Sequence, residues 1–204
     1  MIARPDLHSP IYEQKVTKVT PIAFYWRRLG FALIALSCIP LAGCSKGIFF
    51  EEEVVLSDGA KVEIQRVIHL RRSCEAFSCG WALDQSEMRL DGIHNSTWNK
   101  RLIPLLLDKY QGKYILIATV IYCDDKEFGH PEPNYIQFEL TPSGWERREL
   151  QAYIFGRKAN LLIAANWYAG EPKKIDITTK ETRNELAAVR NYKKVLARVT
   201  PSNC

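Results

Sequence analysis

The chain has 204 residues, of which 47% are hydrophobic and 11% aromatic, which is normal for a globular protein with ample core material. Its formal net charge is +5, but five of the 28 basic residues and two of the 23 acidic residues precede Cys44. The rest of the chain carries 23 basic and 21 acidic residues and is close to neutral. Charge therefore gives no argument for a nucleic acid partner, and we expect none.

The segment over residues 24–44 has the layout of a secretory signal peptide. A basic Arg pair precedes an uncharged apolar run from Leu29 to Ile39. This run is too short for a membrane-spanning helix, which needs about 20 apolar residues. Residues 1–23 fit no part of such a signal, which suggests that translation begins at a later codon than that of Met1, such as that of Val19.

The signal-like segment ends in Leu41-Ala42-Gly43-Cys44, which resembles the lipobox of bacterial lipoproteins. The resemblance implies cleavage before Cys44, a diacylglyceryl group on the Cys44 thiol, and acylation of the new amino group by a fatty acid such as palmitate. Two or three acyl chains give a lasting attachment to a membrane, whereas one holds only marginally. The alternatives are an ordinary cleaved signal and a retained anchor, and Cys38 fits the lipobox pattern less well.

The residue after Cys44 bears on which membrane would hold the anchor. In Gram-negative lipoproteins, Asp at this position resembles an inner-membrane retention signal, whereas this chain has Ser45. We therefore expect an anchor in the outer membrane of a bacterial envelope, facing the periplasm. The expected organisation is a leader and signal peptide over residues 1–43, a tether over 44–50, and a single β-rich globular domain over 51–204.

The first elements of the domain are predicted to form a β-hairpin. Asp58-Gly59 lies between two alternating runs, Glu52 to Leu56 and Lys61 to Leu70, and Asp-Gly in this setting is a strong hairpin signal. The second run places one charged residue, Arg66, on the same face as its apolar residues, Val62, Ile64, Ile68 and Leu70. Arg71 to Trp81 is predicted to be a loop, and Glu87 to Asp91 a strand.

Further strands are predicted along the middle of the chain. Trp98 to Leu107 is expected to be a strand that is broken at Pro104 or lies at a sheet edge, because Pro104 cannot donate a ladder hydrogen bond. Lys113 to Tyr122 is rich in β-branched and apolar residues, which favours a central strand buried on both faces. Tyr135 to Leu140 alternates, and after a turn at 142–144 Trp145 opens a short edge strand.

A helix is predicted near the C-terminus, over Thr179 to Val199. Thr182 can cap it and Pro201 stops it. The predicted apolar stripe consists of Leu186, Val189, Tyr192, Val195 and Leu196. The fold class is therefore α+β, mainly an antiparallel sheet with a C-terminal helix.

Several short motifs follow in a fixed order along the domain. After the hairpin come Gly80-Trp81, the Trp98 segment, Gly112-Lys113-Tyr114, Pro131-Glu-Pro133-Asn-Tyr135 and Gly144-Trp145. This order resembles a loose group of uncharacterised proteobacterial lipoproteins, and the likeness carries no activity with it.

Four cysteines follow Cys44 in the sequence, and an even number in an exported protein indicates disulfides. They are Cys74, Cys79, Cys123 and Cys204, which allow three pairings. We favour Cys74 with Cys79 and Cys123 with Cys204. The spacing of the first two does not match a zinc site.

The densest polar cluster lies over Cys123 to His130. Asp124, Asp125, Glu127 and His130 could bind a cation or supply an acid and a base, although their spacing matches no known calcium or metalloprotease motif. The alternative is a solvated loop held by a disulfide and nearby prolines. No catalytic residue and no cofactor are predicted. Aromatic side chains could line a groove for a glycan or a peptide, and the alternative for half or more of them is packing in the core or at a sheet edge; the candidates are Trp81, Trp98, Tyr110, Tyr114, Trp145, Trp167 and Tyr168.

The sequence therefore predicts a lipid-anchored envelope protein that acts by binding. The expected partner is another envelope protein, peptidoglycan or a toxin. The alternatives are an envelope hydrolase or metal-dependent enzyme that uses the 123–130 loop, and a structural accessory subunit of an envelope complex.

Overall fold

Two antiparallel sheets form the body of the domain in the computed structural model, which describes residues 45–75, 78–121, 127–163, 173–186 and 190–200. These residues belong to one compact unit spanning Gly43–Cys204. The first sheet contains β1 (Ser45–Val55), β2 (Lys61–Glu75), β3 (Ser78–Leu90), β4 (Trp98–Lys100) and β9 (Lys174–Ile175), in the order β4-β3-β2-β1-β9. The second contains β5 (Leu102–Tyr110), β6 (Lys113–Val120), β7 (Ile136–Thr141) and β8 (Gly144–Arg148), in sequence order. The short β9 is parallel to β1.

Helical structure is confined to three short pieces among the described residues. They are a 3-10 turn at Ala152–Ile154, helix α1 at Ile177–Leu186, and helix α2 at Asn191–Lys194. The predicted α+β class, mainly antiparallel sheet, is confirmed. No helix within the described ranges is long and apolar enough to span a membrane.

The predicted hairpin at Asp58-Gly59 is confirmed. β1 and β2 pair in register from Ser45 opposite Arg71 to Val55 opposite Lys61. In the turn, the Gly59 amide donates to the Leu56 carbonyl at 3.0 Å, and the Asp58 side chain accepts the Ala60 amide at 2.9 Å. Gly59 has a φ of +83°, a conformation that glycine adopts without steric cost. The turn chemistry thus fixes the register of the hairpin.

Two predicted irregular segments are strands instead. The tether expected over residues 44–50 is wrong, because Ser45–Phe50 form the first half of β1. Phe50 packs fully buried in the core and continues the alternation of Val54 and Glu52, so burial extends the strand towards its N-terminus. The loop expected over Arg71–Trp81 is also wrong, since β2 and β3 stay paired up to Cys74 opposite Cys79. The cross-strand disulfide between them holds this pairing where little apolar burial does so.

β6 is the central strand that the sequence predicts. Its residues from Ile115 to Val120 are all buried, and it lies between β5 and β7. Leu116 and Ala118 pack towards the first sheet, whereas Ile115 and Ile117 pack against the C-terminal part of the chain. The second sheet is therefore covered on one face by the first sheet and on the other by a C-terminal covering segment, which is formed by the described residues after β8. The edge positions predicted for the strands with Pro104 and Trp145 are confirmed, but the single strand expected over Trp98 to Leu107 is divided into β4 of the first sheet and β5 of the second.

The single long C-terminal helix predicted over Thr179–Val199 is wrong. Helix α1 ends at Leu186 and α2 is one turn, while Leu186 and Val199 of the predicted apolar stretch are 81% and 84% exposed. After α2 the backbone is extended: the Leu196 amide donates to Arg157 O at 2.9 Å and the Gly156 amide to Leu196 O at 2.8 Å. These long-range bonds satisfy the backbone that a helix would have used. Val189 and Pro201 lie outside the described residues.

Candidate functional site

The first sheet begins directly beside the predicted lipidation residue. Cys44 lies outside the described residues, but β1 starts at the next residue, Ser45, which pairs with Arg71 of β2. Consecutive Cα atoms of a trans peptide are about 3.8 Å apart. A group attached to Cys44 is therefore held within one residue of the end of a regular sheet.

The β2–β3 hairpin extends beyond the start of β1. β2 continues for four residues past Arg71, to Glu75, and β3 returns from Ser78. At about 3.3 Å per residue, the hairpin projects roughly 13 Å past Ser45. The predicted disulfide between Cys74 and Cys79 closes its tip and is confirmed. Cys123 and Cys204, the other predicted pair, lie outside the described residues.

One face of this projecting hairpin carries basic and aromatic side chains. Arg72 is directly opposite Trp81, which is 50% exposed, and Lys46 is directly opposite Leu70. Since side chains alternate along a strand, Lys46, Leu70 and Arg72 share a face. Deeper along this face, Ile68 and Leu70 pack with Phe50 in the core. We call Lys46, Arg72 and Trp81 of this face, together with Arg71 of the opposite face, the anchor-proximal surface.

Arg71 lies on the opposite face of the same hairpin. Its Nε is 3.6 Å from a carboxylate oxygen of Asp84, and both side chains are largely exposed. Phe49, also exposed, lies on this second face. The projecting end of the sheet therefore presents cations on both of its faces.

The predicted metal-binding loop is described only in part. Asp124 and Asp125 lie outside the described residues. Glu127 accepts a hydrogen bond from Lys100 Nζ at 3.0 Å, and His130 is exposed. Within the described ranges, no group of three or more His, Cys, Asp or Glu side chains could hold a metal ion. A cation site in this loop stays a prediction.

A buried charge cluster is the polar feature that the sequence did not predict as a site. Glu52 and Arg66 are 0% and 1% exposed, and Arg66 Nη1 donates to Glu52 Oε2 at 2.9 Å. Lys180 Nζ of α1 lies 3.2 Å from Glu52 Oε1 and is also buried. One carboxylate therefore faces two cations. The signal in the sequence was Arg66 on the apolar face of a strand.

The charge cluster ties the C-terminal segment to the first sheet. Arg66 Nη1 donates to Leu162 O at 3.0 Å, and the Leu162 amide donates to Glu52 Oε1 at 2.8 Å. Lys180 Nζ donates to Glu53 O at 2.6 Å. Burial lowers the pKa of Lys180, and the charge of Glu52 acts in the opposite direction. The three charged groups therefore hold parts of the fold together.

A cleft of about 510 Å³ opens beside Lys180 and α1. Its two asparagines are already engaged in holding the fold. Asn160 Nδ2 donates to Leu107 O at 2.7 Å, and Asn184 Nδ2 donates to Leu161 O at 2.9 Å. Asn160 thus connects the covering segment to the second sheet, and Asn184 connects α1 to Leu161.

A second buried carboxylate, Asp108, connects the two sheets. Its Oδ1 accepts the Ser57 amide at 2.8 Å and its Oδ2 accepts a hydrogen bond from Arg157. Burial alone would raise the pKa of Asp108, but the bonds from Arg157 and Ser57 outweigh it and the pKa is lowered. Nearby, Tyr153 stacks on Tyr110 with ring centroids 4.1 Å apart. Burial raises the pKa of Tyr153 to about 12.

The aromatic residues predicted to line a groove do not form one surface. Trp98 is buried in the core, where it packs edge-on against Phe138, and Trp145 donates its indole N–H to Ser96 O at 2.7 Å. Tyr110 is stacked on Tyr153, and Trp167 and Tyr168 lie outside the described residues. Trp81 is the tryptophan among the described residues that presents its ring to solvent.

The geometry therefore distinguishes two kinds of polar feature. The charge cluster around Glu52 and the Asp108 contacts are internal, and the anchor-proximal surface is external.

Comparison of the chain with models of protein families, with curated proteins and with solved structures found no match.

Proposed function

We propose that this chain is a bacterial lipoprotein, lipidated at Cys44 and held at the outer membrane, whose domain faces the periplasm and acts by binding a partner there. The observation that carries the proposal is the position of Ser45 at the first residue of β1, immediately after the lipobox-like Cys44. An anchor at that point is attached to a rigid element. The partner is another envelope protein, peptidoglycan or a toxin.

The positions of the two ends of the first sheet relative to the proposed anchor support this proposal. β1 runs for 11 residues from Ser45 to Val55, so its far end lies roughly 35 Å from the anchored end. The turns at Asp58-Gly59 and at residues 91–97 lie at this far end. Because the proposed anchor joins β1 directly, these turns are at the opposite end of β1 from the lipid. The disulfide between Cys74 and Cys79 suits an oxidising compartment such as the periplasm.

Lipidation is tested on the full-length protein expressed in a bacterial host. The mass of the N-terminal peptide and the partitioning of the protein into detergent are measured for the wild type, Cys44→Ala and Cys38→Ala. We expect the wild type and Cys38→Ala to carry acyl chains on an N-terminal Cys44, and Cys44→Ala to keep its leader without lipid. Acyl chains retained by Cys44→Ala would overturn the proposal.

Binding is tested by photo-crosslinking in intact envelopes. A photoreactive residue is placed at Asp58 or at His94, which are exposed at the far end, and in a matched chain at Lys46 beside the anchor. We expect discrete protein or peptidoglycan adducts from the far positions and lipid adducts from Lys46. If neither far position forms an adduct, the proposed binding role is wrong.

A further inference from the structure

We propose that the projecting tip of the β2–β3 hairpin is a second membrane contact, which docks on an anionic bilayer surface beside the lipid anchor. This inference rests on the proposed lipidation of Cys44 and adds a protein surface to it. It would give the domain a defined orientation, since a flexible lipid attachment alone leaves rotation about the anchor free.

The first argument is the length of the hairpin relative to the anchor. Ser45 is level with Arg71, and the hairpin continues roughly 13 Å further in the direction from which the anchor comes. The headgroup layer of a bilayer is only about 5–7 Å thick on each side of the hydrocarbon core. A lipid on Cys44 brings the start of β1 to this layer, so a hairpin that continues in the same direction reaches the bilayer.

The second argument is the chemistry of the side chains that the tip carries. Trp81 is half exposed, and a tryptophan ring with its indole N–H is well suited to the boundary between headgroups and acyl chains. Arg72 is its cross-strand neighbour, and a guanidinium binds phosphate oxygens in a bidentate manner. The Trp81 ring and the Arg72 guanidinium are thus cross-strand neighbours, and a bilayer surface provides an apolar boundary for the ring and phosphate oxygens for the cation.

The third argument is the local charge. Lys46 of β1 and Arg71 and Arg72 of the hairpin give three positive charges around the anchored end, against the two negative charges of Glu75 and Asp84, so the net charge of these five residues is +1. Cations near a bilayer are attracted to anionic headgroups over about a Debye length. The disulfide between Cys74 and Cys79 holds the strands of the tip together, so that little conformational entropy is lost on docking.

The test uses the mature, lipidated protein reconstituted into vesicles whose lipids are brominated near the top of the acyl chains. Bromine quenches tryptophan fluorescence at short range, so quenching reports which indole reaches the bilayer. Trp81→Phe removes the fluorophore at the tip and keeps an aromatic ring there. Trp145→Phe is the matched control, since Trp145 contacts the residue 91–97 turn at the far end of the first sheet.

We expect Trp81→Phe to reduce the bromine-dependent quenching at least about two-fold and Trp145→Phe to leave it unchanged. Equal quenching in the wild type and Trp81→Phe would overturn the proposal. If the N-terminal peptide carries no lipid, the proposed function fails, and the same measurement on the unlipidated protein with anionic vesicles still decides the hairpin contact. In that measurement, quenching that depends on Trp81 supports the hairpin contact, and the absence of quenching refutes it.

A second pair of variants tests the anionic character of the bilayer. Arg71→Gln with Arg72→Gln removes two charges at the tip, and Lys61→Gln with Lys109→Gln removes two charges at the far end of the strands. With phosphatidylglycerol in the vesicles, we expect the first pair to weaken docking roughly tenfold and the second to have no effect. Docking that is indifferent to phosphatidylglycerol and to the arginines would refute the electrostatic part of the proposal.

Discussion

Glu52 and Arg66 form a 2.9 Å salt bridge on the core-facing side of the first sheet, with almost no exposure to solvent. Phe50 lies under the Arg66 guanidinium at 5.3 Å from its ring centroid. Lys180 adds a second cation to the same carboxylate. The cluster therefore has an excess of one positive charge, and its three members are not equivalent when one of them is removed.

Removing the carboxylate is expected to be the most costly change in this cluster. Glu52→Gln leaves Arg66 and Lys180 buried without a counter-charge, and we expect the free energy of unfolding to fall by about 3–5 kcal/mol. Urea unfolding followed by circular dichroism measures it. The matched control is Glu63→Gln, which removes an exposed ion pair with Lys174 and should change stability very little. Equal losses in the two variants would contradict the cluster as described.

Removing Lys180 is expected to be far milder. Lys180→Met keeps the apolar part of the side chain and leaves Glu52 and Arg66 as a neutral pair, so we expect a change within about 1 kcal/mol. The loss of the bond to Glu53 O opposes the gain from removing a buried charge. A loss as large as that of Glu52→Gln would show that Lys180 is essential to the cluster.

The same variant is expected to change the pH dependence of stability. Burial lowers the pKa of Lys180 from 10.5, so between the two values the unfolded chain binds more protons than the folded one. Stability should therefore rise as the pH increases through that window, and the rise should be smaller in Lys180→Met. Lys193, whose pKa burial also lowers, leaves some slope in the variant. Urea midpoints from pH 7 to pH 10 measure the difference.

The elements that could be predicted from the sequence are those whose cause is local. Asp58-Gly59 fixes a turn through the glycine conformation and the Asp58 hydrogen bond, and the apolar run of β6 marks a strand buried on both faces. The short separation of Cys74 and Cys79 in the sequence predicts their pairing, and the disulfide is present. In each case the determining contact lies within a few residues of the pattern.

The elements that could not be predicted depend on distant contacts. Leu196 lies on a helical stripe in the sequence, but its backbone pairs with Gly156 and Arg157. Arg66 was seen on the apolar face of a strand, yet its partners come from β1 and from Leu162. The hairpin tip lacks an apolar alternation, because both of its faces are exposed. Its strand structure follows from pairing and from the disulfide.

The glycine of the first turn provides a test of hairpin geometry. Gly59→Ala forces a side chain into the left-handed region at φ +83°, and we expect a loss of about 1–2 kcal/mol in the free energy of unfolding. Gly59→Asn should lose less, because asparagine tolerates this conformation. Gly80→Ala is the control, since Gly80 lies in β3 with open space around it and no positive φ. Similar effects of Gly59→Ala and Gly80→Ala would contradict the turn.

The disulfide of the hairpin tip is expected to contribute moderately to stability. It closes a short loop between residues five apart, and the loop-entropy model gives about 2 kcal/mol for such a ring. Cys74→Ser with Cys79→Ser should therefore lower the free energy of unfolding by that amount and increase amide exchange at Arg72 and Trp81. Exchange at Ile64, in the middle of β2, is the internal reference. Unchanged exchange at the tip would show that strand pairing alone orders it.

Asp108 is expected to make the fold sensitive to acid. Its pKa is lowered from 3.8, so its stabilising bonds to Ser57 and Arg157 are fully present above that value and are lost as the pH falls through the lowered pKa. Asp108→Asn should lower the free energy of unfolding by about 2–3 kcal/mol at pH 7, because it removes the carboxylate that accepts the bonds from Ser57 and Arg157. The stability of this variant should then fall less steeply than that of the wild type between pH 5 and pH 2.

The control for this titration is Asp91→Asn, at an exposed turn. Glu146 and Asp176, whose pKa is also lowered, are present in every variant, so the difference between the curves isolates Asp108. The wild-type and Asp108→Asn curves of urea midpoint against pH should converge at the acid end, because protonation then removes in the wild type what the substitution removes. Parallel curves would mean that the Asp108 carboxylate is not the group whose ionisation joins the two sheets.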